Sequence, residues 1–317
     1  MMAGRPVIEI DDLVVEYGRG RKVTRAVDGI SLRVNEGECV GFIGANGAGK
    51  STTIKTLMGF IFPTRGTVRV FGSEAGTVES RRRIGYLPEV ALYYPFMKAR
   101  ELLELYGGLQ GLSRSELRRK IPMLLEEVGL AGKGETLLRN FSKGMQQRLG
   151  IAQAIIADPE ALIFDELSSG LDPVGKFDLR QVLLKLKSAG RTIFFSSHEL
   201  TEVESLCDRV VMIHKGRIVT EATVRDLMKP LNEFGVIFEM PNGREMPPAV
   251  AAHQPECDGG RWRVTIRDPA DYAAAVAALT AAGASIVSTA SRTRSLEDYF
   301  ISLVRSGDGT GGRGDAS

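Results

Sequence analysis

A glycine-rich segment near residue 50 has the chemistry of phosphate binding. Residues 44–51 read GANGAGKS and fit the pattern G-x-x-x-x-G-K-[ST]. Glycines let the backbone curl so that its N–H groups point at phosphate oxygens. The pattern assigns Lys50 to the β- and γ-phosphates and the Ser51 hydroxyl to Mg²⁺, and a helix beginning near Lys50 adds its positive end. The predicted nucleotide-binding residues here are Gly44, Ala45, Asn46, Gly47, Ala48, Gly49, Lys50, Ser51 and Thr52.

Two adjacent carboxylates follow an apolar run further along the chain. Residues 161–166 read ALIFDE, which predicts a strand that ends in Asp165 and Glu166. A carboxylate at the tip of a strand beside a phosphate loop holds Mg²⁺ directly or through water, and this role falls to Asp165. Glu166 points to the other side, where it can orient or deprotonate an attacking water. Alone, the motif equally describes solvated acids after a strand; the phosphate loop upstream favours the catalytic interpretation.

A parallel sheet is needed to bring these two segments together. Continuous apolar or β-branched runs predict strands at Cys39–Ile43, Ala161–Phe164, Thr192–Ser196 and Val210–Ile213. An amphipathic helix, Asp178–Ala189, separates the second strand from the third and is ended by a glycine. This order predicts βαβ units and therefore an α/β fold with a parallel sheet.

The remaining segments add strands before and helices within this core. Alternating patterns predict strands at Val7–Ile10, Ser31–Val34 and Thr67–Val70. Leucines recur at helical spacing between Ala99 and Ile155, which predicts a mostly helical insert over about 90–155.

Further motifs give the chain a family resemblance. Residues 141–148 read FSKGMQQR and resemble the signature of ATP-binding cassette (ABC) proteins, usually written LSGGQ, just upstream of the acidic strand as in that family. Residues 168–172 resemble the D-loop, His198 resembles the switch histidine, and residues 85–89 occupy the place of the Q-loop. Tyr17 stands where the family stacks an aromatic on adenine; an ordinary strand-end aromatic is the alternative. The ordered set covers residues 7–222, which are expected to form an ABC ATPase domain, a P-loop NTPase with a RecA-like core.

The resemblance implies roles for individual residues. The implied catalytic residues are Lys50, Glu89, Glu166 and His198, and the implied Mg²⁺ ligands are Ser51, Glu89 and Asp165. The residues implied to contact ATP held by a partner subunit are Ser142, Lys143, Gly144, Met145 and Gln146, and those of the D-loop are Ser169, Gly170, Leu171 and Asp172. Ser142 also opens a helix as an N-cap, and both interpretations can hold. Glu89 stands where the family usually has glutamine, and carboxylate and amide oxygens both coordinate Mg²⁺ or water. Met145 departs from the glutamine pattern of the signature only in part, because Gln146 follows. Neither change touches Lys50, Asp165, Glu166 or His198, so we expect an active site.

The chain after about residue 222 has a different texture. Val236–Met240 and Trp262–Arg267 alternate like strands, Pro241–Gly260 is predicted as a loop, Ala270–Ala282 as a helix, Ser285–Ser288 as a strand and Leu296–Val304 as a last helix. A small α+β accessory domain is therefore expected over 223–305, with a disordered tail over 306–317. The last predicted helix contains LEDYFISL, which resembles the C-terminal extension of bacterial exporter cassettes; a generic amphipathic helix is the alternative.

Composition limits the partners and the compartment. The net charge is +2, which gives no field to attract nucleic acid, so no nucleic-acid partner is expected. Three well-separated cysteines, at positions 39, 207 and 257, fit a reducing cytoplasm. No segment is long and apolar enough to cross a membrane, and no signal peptide is visible. The expected location is cytoplasmic, on the inner face of the cell membrane.

The function implied by the resemblance is ATP hydrolysis that energises a separate membrane permease, most simply for export. The expected cofactors are ATP and Mg²⁺, and the expected partners are a second copy of the chain and the integral-membrane permease. A soluble ABC ATPase acting on ribosomes or nucleic acid is the alternative, although the chain has one phosphate loop and no sustained heptads. A P-loop kinase or GTPase would leave FSKGMQQR unexplained.

One apolar segment has two interpretations. Residues 89–100 begin at the Q-loop and carry the apolar side chains of Leu92, Tyr93, Tyr94, Phe96 and Met97 around Pro95. The segment is either core of the helical insert or part of a groove that receives a helix of the permease.

Overall fold

The chain divides into two compact units, Met1–Val224 and Arg225–Ser317. The computed structural model describes residues 4–19, 22–228, 230–241, 243–293, 296–297 and 299–300. In this part of the chain, no helix has both the length and the hydrophobicity that crossing a membrane requires.

The first unit contains two sheets. The larger has the strand order β10-β9-β3-β8-β7-β6, in which neighbouring strands are parallel except for the antiparallel edge pair β9–β10. The smaller is antiparallel with the order β2-β1-β4-β5. The strands are β1 (Pro6–Arg19), β2 (Lys22–Asn35), β3 (Cys39–Ile43), β4 (Arg65–Val70), β5 (Ser73–Glu74), β6 (Ile84–Leu87), β7 (Ala161–Asp165), β8 (Thr192–Ser197), β9 (Arg209–His214) and β10 (Arg217–Thr223).

Burial follows the predicted strand pattern. Every residue of β3, β7 and β8 is buried, as continuous apolar runs between helical layers require. The rings of Phe42 on β3 and Phe194 on β8 lie 5.5 Å apart in a core that also includes Val7, Ile10 and Leu32 of the antiparallel sheet. The predicted α/β fold with a parallel sheet is therefore confirmed. Because residues of both sheets share this core, it holds the ends of the parallel strands in place.

Helices connect and cover the strands of this unit. Lys50 begins α1 directly after the phosphate loop, and the predicted helical insert consists of α3, α4, a 3₁₀ turn at Leu138–Asn140 and α5. Ser113 and Glu116 cap the start of α4 through reciprocal side-chain bonds. The helices are α1 (Lys50–Leu57), α2 (Val78–Arg82), α3 (Ala99–Leu109), α4 (Arg114–Glu127), α5 (Lys143–Ile155), α6 (Pro173–Ser188) and α7 (Leu200–Leu206). A short helix, α8 (Val224–Leu227), starts at the boundary between the units.

The second unit is an antiparallel sheet with helices. The strand order is β12-β13-β11-β14, and Val236, Phe238, Val264 and Ile266 form its core with Ala275 and other residues of α10 and α9. The elements are β11 (Pro230–Glu239), α9 (Pro248–Ala251), β12 (Glu256–Asp258), β13 (Arg261–Ile266), α10 (Pro269–Ala281) and β14 (Ser285–Thr293).

Two expectations for this region need comment. The predicted loop Pro241–Gly260 contains α9 and β12, so that expectation is wrong in part; both elements are short and form against β13 and α10 rather than from a local pattern. Most of the predicted helix Leu296–Val304, and all of 306–317, lie outside the described residues.

Candidate nucleotide-binding site

A cavity of about 400 Å³ opens at the carboxyl ends of the central parallel strands. In open α/β sheets ligands bind at this edge, because the loops that follow the strands meet there. The phosphate loop after β3, Glu166 after β7 and His198 after β8 all contribute. The lining residues are Ala26, Asn46, Gly47, Gly49, Lys50, Ser51, Thr52, Glu89, Glu166, Ser169 and His198.

The phosphate loop takes backbone conformations that favour glycine. Gly47 and Gly49 have φ angles of 79° and 112°. A Cβ at Gly49 would also lie 2.6 Å from the carbonyl oxygen of Ala26. The loop lines the cavity at the start of α1, where an anion is favoured.

Lys50 is folded back into this loop. Its side chain is 5% exposed, and Nζ donates to the carbonyl oxygens of Gly44 at 2.6 Å and Ala45 at 3.3 Å. Nζ also lies 3.0 Å from Oε1 of Glu166, whose side chain is likewise buried. The predicted phosphate-binding cation is thus paired with the predicted catalytic carboxylate.

Glu166 is held in an unusual conformation. It follows β7 with a φ of 50°, in the left-handed region that only a minority of non-glycine residues adopt. Its backbone N–H is fixed by Ser196, which accepts through Oγ at 3.0 Å and through its carbonyl oxygen at 3.2 Å. Oε2 of the same glutamate contacts Nδ1 of His198. The conformation directs the carboxylate between Lys50 and His198.

Asp165 and Ser51 form an oxygen-rich corner of the same site. The Ser51 hydroxyl donates to Oδ1 of Asp165 at 3.1 Å, and the Ser196 hydroxyl donates to the same oxygen at 2.6 Å. Hydroxyl and carboxylate oxygens are the ligands that Mg²⁺ prefers, usually completed by water and substrate phosphates. The described residues contain no group of three or more His, Cys, Asp or Glu that would hold a metal by themselves. The donors present fit a magnesium ion shared with a nucleotide.

Tyr17 and Glu89 lie at the edges of this arrangement. The Tyr17 hydroxyl is 3.3 Å from Oγ1 of Thr52, and its ring is 43% exposed, so a face is accessible beside the phosphate loop. Glu89 is exposed and lines the cavity with Glu166 and His198. The structure thus brings the predicted Q-loop carboxylate to the site.

The signature residues do not line this cavity. Ser142 caps α5 by accepting the N–H of Met145 at 3.2 Å, so the N-cap expectation is confirmed. Lys143 and Gln146 instead face a second cavity, of about 340 Å³, which Glu89 and Ser169 also line. In the D-loop, Gly170 has a φ of 69° and Asp172 caps α6 by accepting the N–H of Gly175 at 2.9 Å. Of that loop, Ser169 alone reaches the first cavity among the residues the structure describes.

Two functional residues were not predicted. Ser196 fixes both Asp165 and Glu166, and Ala26 forms part of the cavity wall from β2. The Ser-Ser pair that ends the apolar run at 192–197 is a signal for the first; nothing in the local sequence marks the second.

Together, the parallel sheet, the phosphate loop and the paired carboxylates define a P-loop nucleotide hydrolase. Residues 27–169 match the ABC transporter family. An ABC transporter ATP-binding protein of Nostoc sp. is 38% identical over 307 residues, covering 95% of this chain and 91% of that protein. The bacitracin transport ATP-binding protein BcrA of Enterococcus faecalis is 34% identical, covering 97% of this chain and 99% of that protein. The Nod factor export ATP-binding protein I of Ralstonia nicotianae is 31% identical, covering 94% of each chain.

Solved structures agree with the fold. A structure of an ATP-binding subunit of an ABC transporter is 34% identical, with a TM-score of 0.61, and covers 70% of this chain and 92% of that chain. The protein belongs to the ATP-binding proteins of ABC transporters. It is an ATPase subunit, and its role is to energise a separate permease.

Proposed function

We propose that two copies of this chain bind two Mg²⁺-ATP at shared sites on the inner face of the cell membrane and drive a permease that exports its substrate. Relatives that match nearly the whole chain, the second unit included, are named for bacitracin transport and Nod factor export. The observation that carries the catalytic part is the contact of Glu166 with both Lys50 and His198 in a cavity walled by a phosphate loop.

Lys50 and Glu166 exchange partners when ATP binds. The γ-phosphate brings negative charge to Lys50, and this charge replaces the Glu166 carboxylate as the partner of the ammonium. Glu166 is then free to accept a proton from the attacking water. Its backbone stays fixed by Ser196, so the carboxylate is positioned before the reaction begins.

His198 holds Glu166 and senses the γ-phosphate. A carboxylate only accepts, so Nδ1 of His198 carries the hydrogen in this contact. A bond from the other ring nitrogen to a phosphate oxygen requires a hydrogen there as well. Loss of the γ-phosphate removes that second bond and signals hydrolysis.

Ser51 and Asp165 would hold the magnesium ion, and Glu89 would ligate it directly or through water. When bound, Mg²⁺ neutralises charge that develops on the phosphate oxygens. The Ser196 hydroxyl keeps the Asp165 carboxylate oriented toward Ser51.

The signature completes the partner's site. Ser142 is exposed at the N-terminus of α5, away from the nucleotide cavity of its own chain. The hydroxyl, the backbone N–H groups at Gly144 and the positive end of the helix suit a γ-phosphate supplied by another subunit. Each ATP would then lie between one chain's Lys50 and the other's Ser142.

The segment after Glu89 docks the permease. Leu92, Tyr94 and Phe96 are 87%, 59% and 71% exposed, and the two rings lie 5.7 Å apart, whereas Tyr93 and Met97 are partly buried. Exposed aromatic side chains beside a nucleotide-sensing residue suit an apolar face of a partner's helix.

The test is purification of the tagged chain from native membranes, followed by reconstitution with whatever multi-span protein accompanies it. ATP added on the side of the ATPase subunits should drive solute out of that compartment. Recovery with ribosomes or nucleic acid, and no multi-span protein, would overturn the proposal.

A further inference from the structure

Two departures from the family pattern meet at one cavity. Glu89 stands in place of the usual glutamine, and Lys143 stands in place of the first glycine of LSGGQ. Both side chains line the cavity of about 340 Å³ described above, together with Val90, Ala91, Gln146, Gln147 and Ser169. Two substitutions that introduce opposite charges at one cavity indicate that they compensate each other.

Lys143 lies beside the D-loop where it lines this cavity. A Cβ built on Gly170 would lie against the Lys143 ammonium, so the end of this flexible side chain is next to the loop. Gly170 also has a positive φ, which disfavours any other residue there. The signature helix therefore places a positive charge next to the D-loop.

The side chains of Lys143 and Glu89 are both exposed, and neither forms an ion pair within 4.0 Å in the described part of the chain. Gln147, one helical turn from Lys143 and 5% exposed, has a buried Oε1 with no hydrogen-bond partner in this part of the chain. An ammonium with three donors can satisfy both the Glu89 carboxylate and this amide oxygen.

Glu89 also lines the nucleotide cavity, which links the two cavities. A carboxylate there faces the negative charge of the ATP phosphates as well as the Mg²⁺ that it would ligate, and a second cation close to it would offset the repulsion from the phosphates. A neutral glutamine would not be repelled in this way.

We propose that Lys143 is a positioning residue for Glu89, pairing with its carboxylate across this cavity when ATP occupies the neighbouring site. The inference rests on the proposed roles of Glu89 and of the signature. Ser142 would contact the nucleotide bound by the partner subunit, whereas Lys143 would pair with Glu89 beside the nucleotide of its own chain. The start of α5 would therefore link the two shared sites of the dimer.

The test is a double-mutant cycle on ATP hydrolysis with Glu89→Gln and Lys143→Met. Each single change leaves one unpaired charge, and kcat should fall about tenfold with the KM for ATP nearly unchanged. The double variant has neither charge and should recover to within about threefold of the unsubstituted protein. Lys143→Arg should also retain most of the activity. Lys133→Met is the matched control, because Lys133 is exposed and its side chain has no hydrogen bond or ion pair among the described residues.

The outcomes separate the inference from the proposed function. If the two losses multiply in the double variant, or if Lys143→Met hydrolyses ATP normally, the pairing is wrong while the ATPase site stands. If Glu89→Gln alone is fully active, the charge of Glu89 needs no partner and the pairing is wrong, whereas the proposed ligand role of this position stands, because an amide oxygen can also fill it.

Discussion

Glu166→Gln tests two roles of one carboxylate: the ion-pair partner of Lys50 and the general base for the attacking water. The substitution keeps the size of the side chain and an oxygen acceptor but removes the negative charge. Lys50 retains its bonds to the carbonyl oxygens of Gly44 and Ala45. Without nucleotide, the substitution should therefore lower the free energy of unfolding by less than removal of the whole side chain would, and we expect a loss of about 2 kcal/mol.

This value sets the size of the thermal effect. For a unit of this length, each kcal/mol of lost unfolding free energy lowers the midpoint of thermal unfolding by about 2–4 °C. Without nucleotide, the first unit should therefore melt about 4–8 °C lower than in the unsubstituted protein. With saturating ATP the phosphates take over as the partner of Lys50, and the gap between variant and unsubstituted protein should narrow. Loss of the general base should lower turnover by about 10²–10⁴-fold and allow an ATP-bound dimer to accumulate.

Melting curves with and without ATP, phosphate release and size-exclusion chromatography measure the three effects. Asp12→Asn is the matched control, because Asp12 pairs with Arg65 through one contact at the surface and such exposed pairs contribute about 0–1 kcal/mol. An equal melting shift with and without ATP would refute the exchange of partners. Near-normal phosphate release would refute the assignment of Glu166 as the base.

The remaining predictions concern docking and pH. Replacing Tyr94 and Phe96 by serine should weaken permease association about tenfold or more, while the basal ATPase activity of the isolated subunit persists. Val78→Ser, a control at another exposed apolar position, should leave both permease association and ATPase activity unchanged. If the paired change instead unfolds the isolated chain, the two residues are core. Burial raises the pKa of the Glu202 carboxyl in the folded protein above its value in the unfolded chain. Glu202 therefore contributes to folding stability at pH values below its unfolded-state pKa, and this contribution is lost as the pH rises through its folded-state pKa. Glu202→Gln should therefore raise the melting temperature at pH 8 more than at pH 4.5, and an equal shift at both would contradict this.

Local pattern was enough for the elements that hold the site. The phosphate loop, the start of α1 at Lys50 and β3 at Cys39–Ile43 follow the prediction, because glycine spacing and continuous burial are written in neighbouring residues. The Ser142 cap is equally local, since it joins residues three apart.

Long-range packing decided what the sequence could not show. Ser51 and Asp165 are 114 residues apart, and their hydrogen bond exists only because β3 and β7 both flank β8. The positive φ of Glu166 depends on Ser196 of the neighbouring strand. The convergence of Glu89 and Lys143 on one cavity likewise has no local signal.

Complementation between two inactive chains tests the shared site most directly. Lys50→Ala removes the phosphate-binding cation, and Ser142→Asp keeps an N-cap acceptor while placing a negative charge against the partner's γ-phosphate. Each chain alone should be inactive, with Ser142→Asp still binding ATP as a monomer. An equal mixture contains dimers in which one site joins an intact Lys50 to an intact Ser142, so it should recover a measurable fraction of ATPase activity, as should a mixture with Ser142→Arg. Failure of every mixture to hydrolyse ATP, although mixed dimers form, or activity of Ser142→Asp alone would contradict the account.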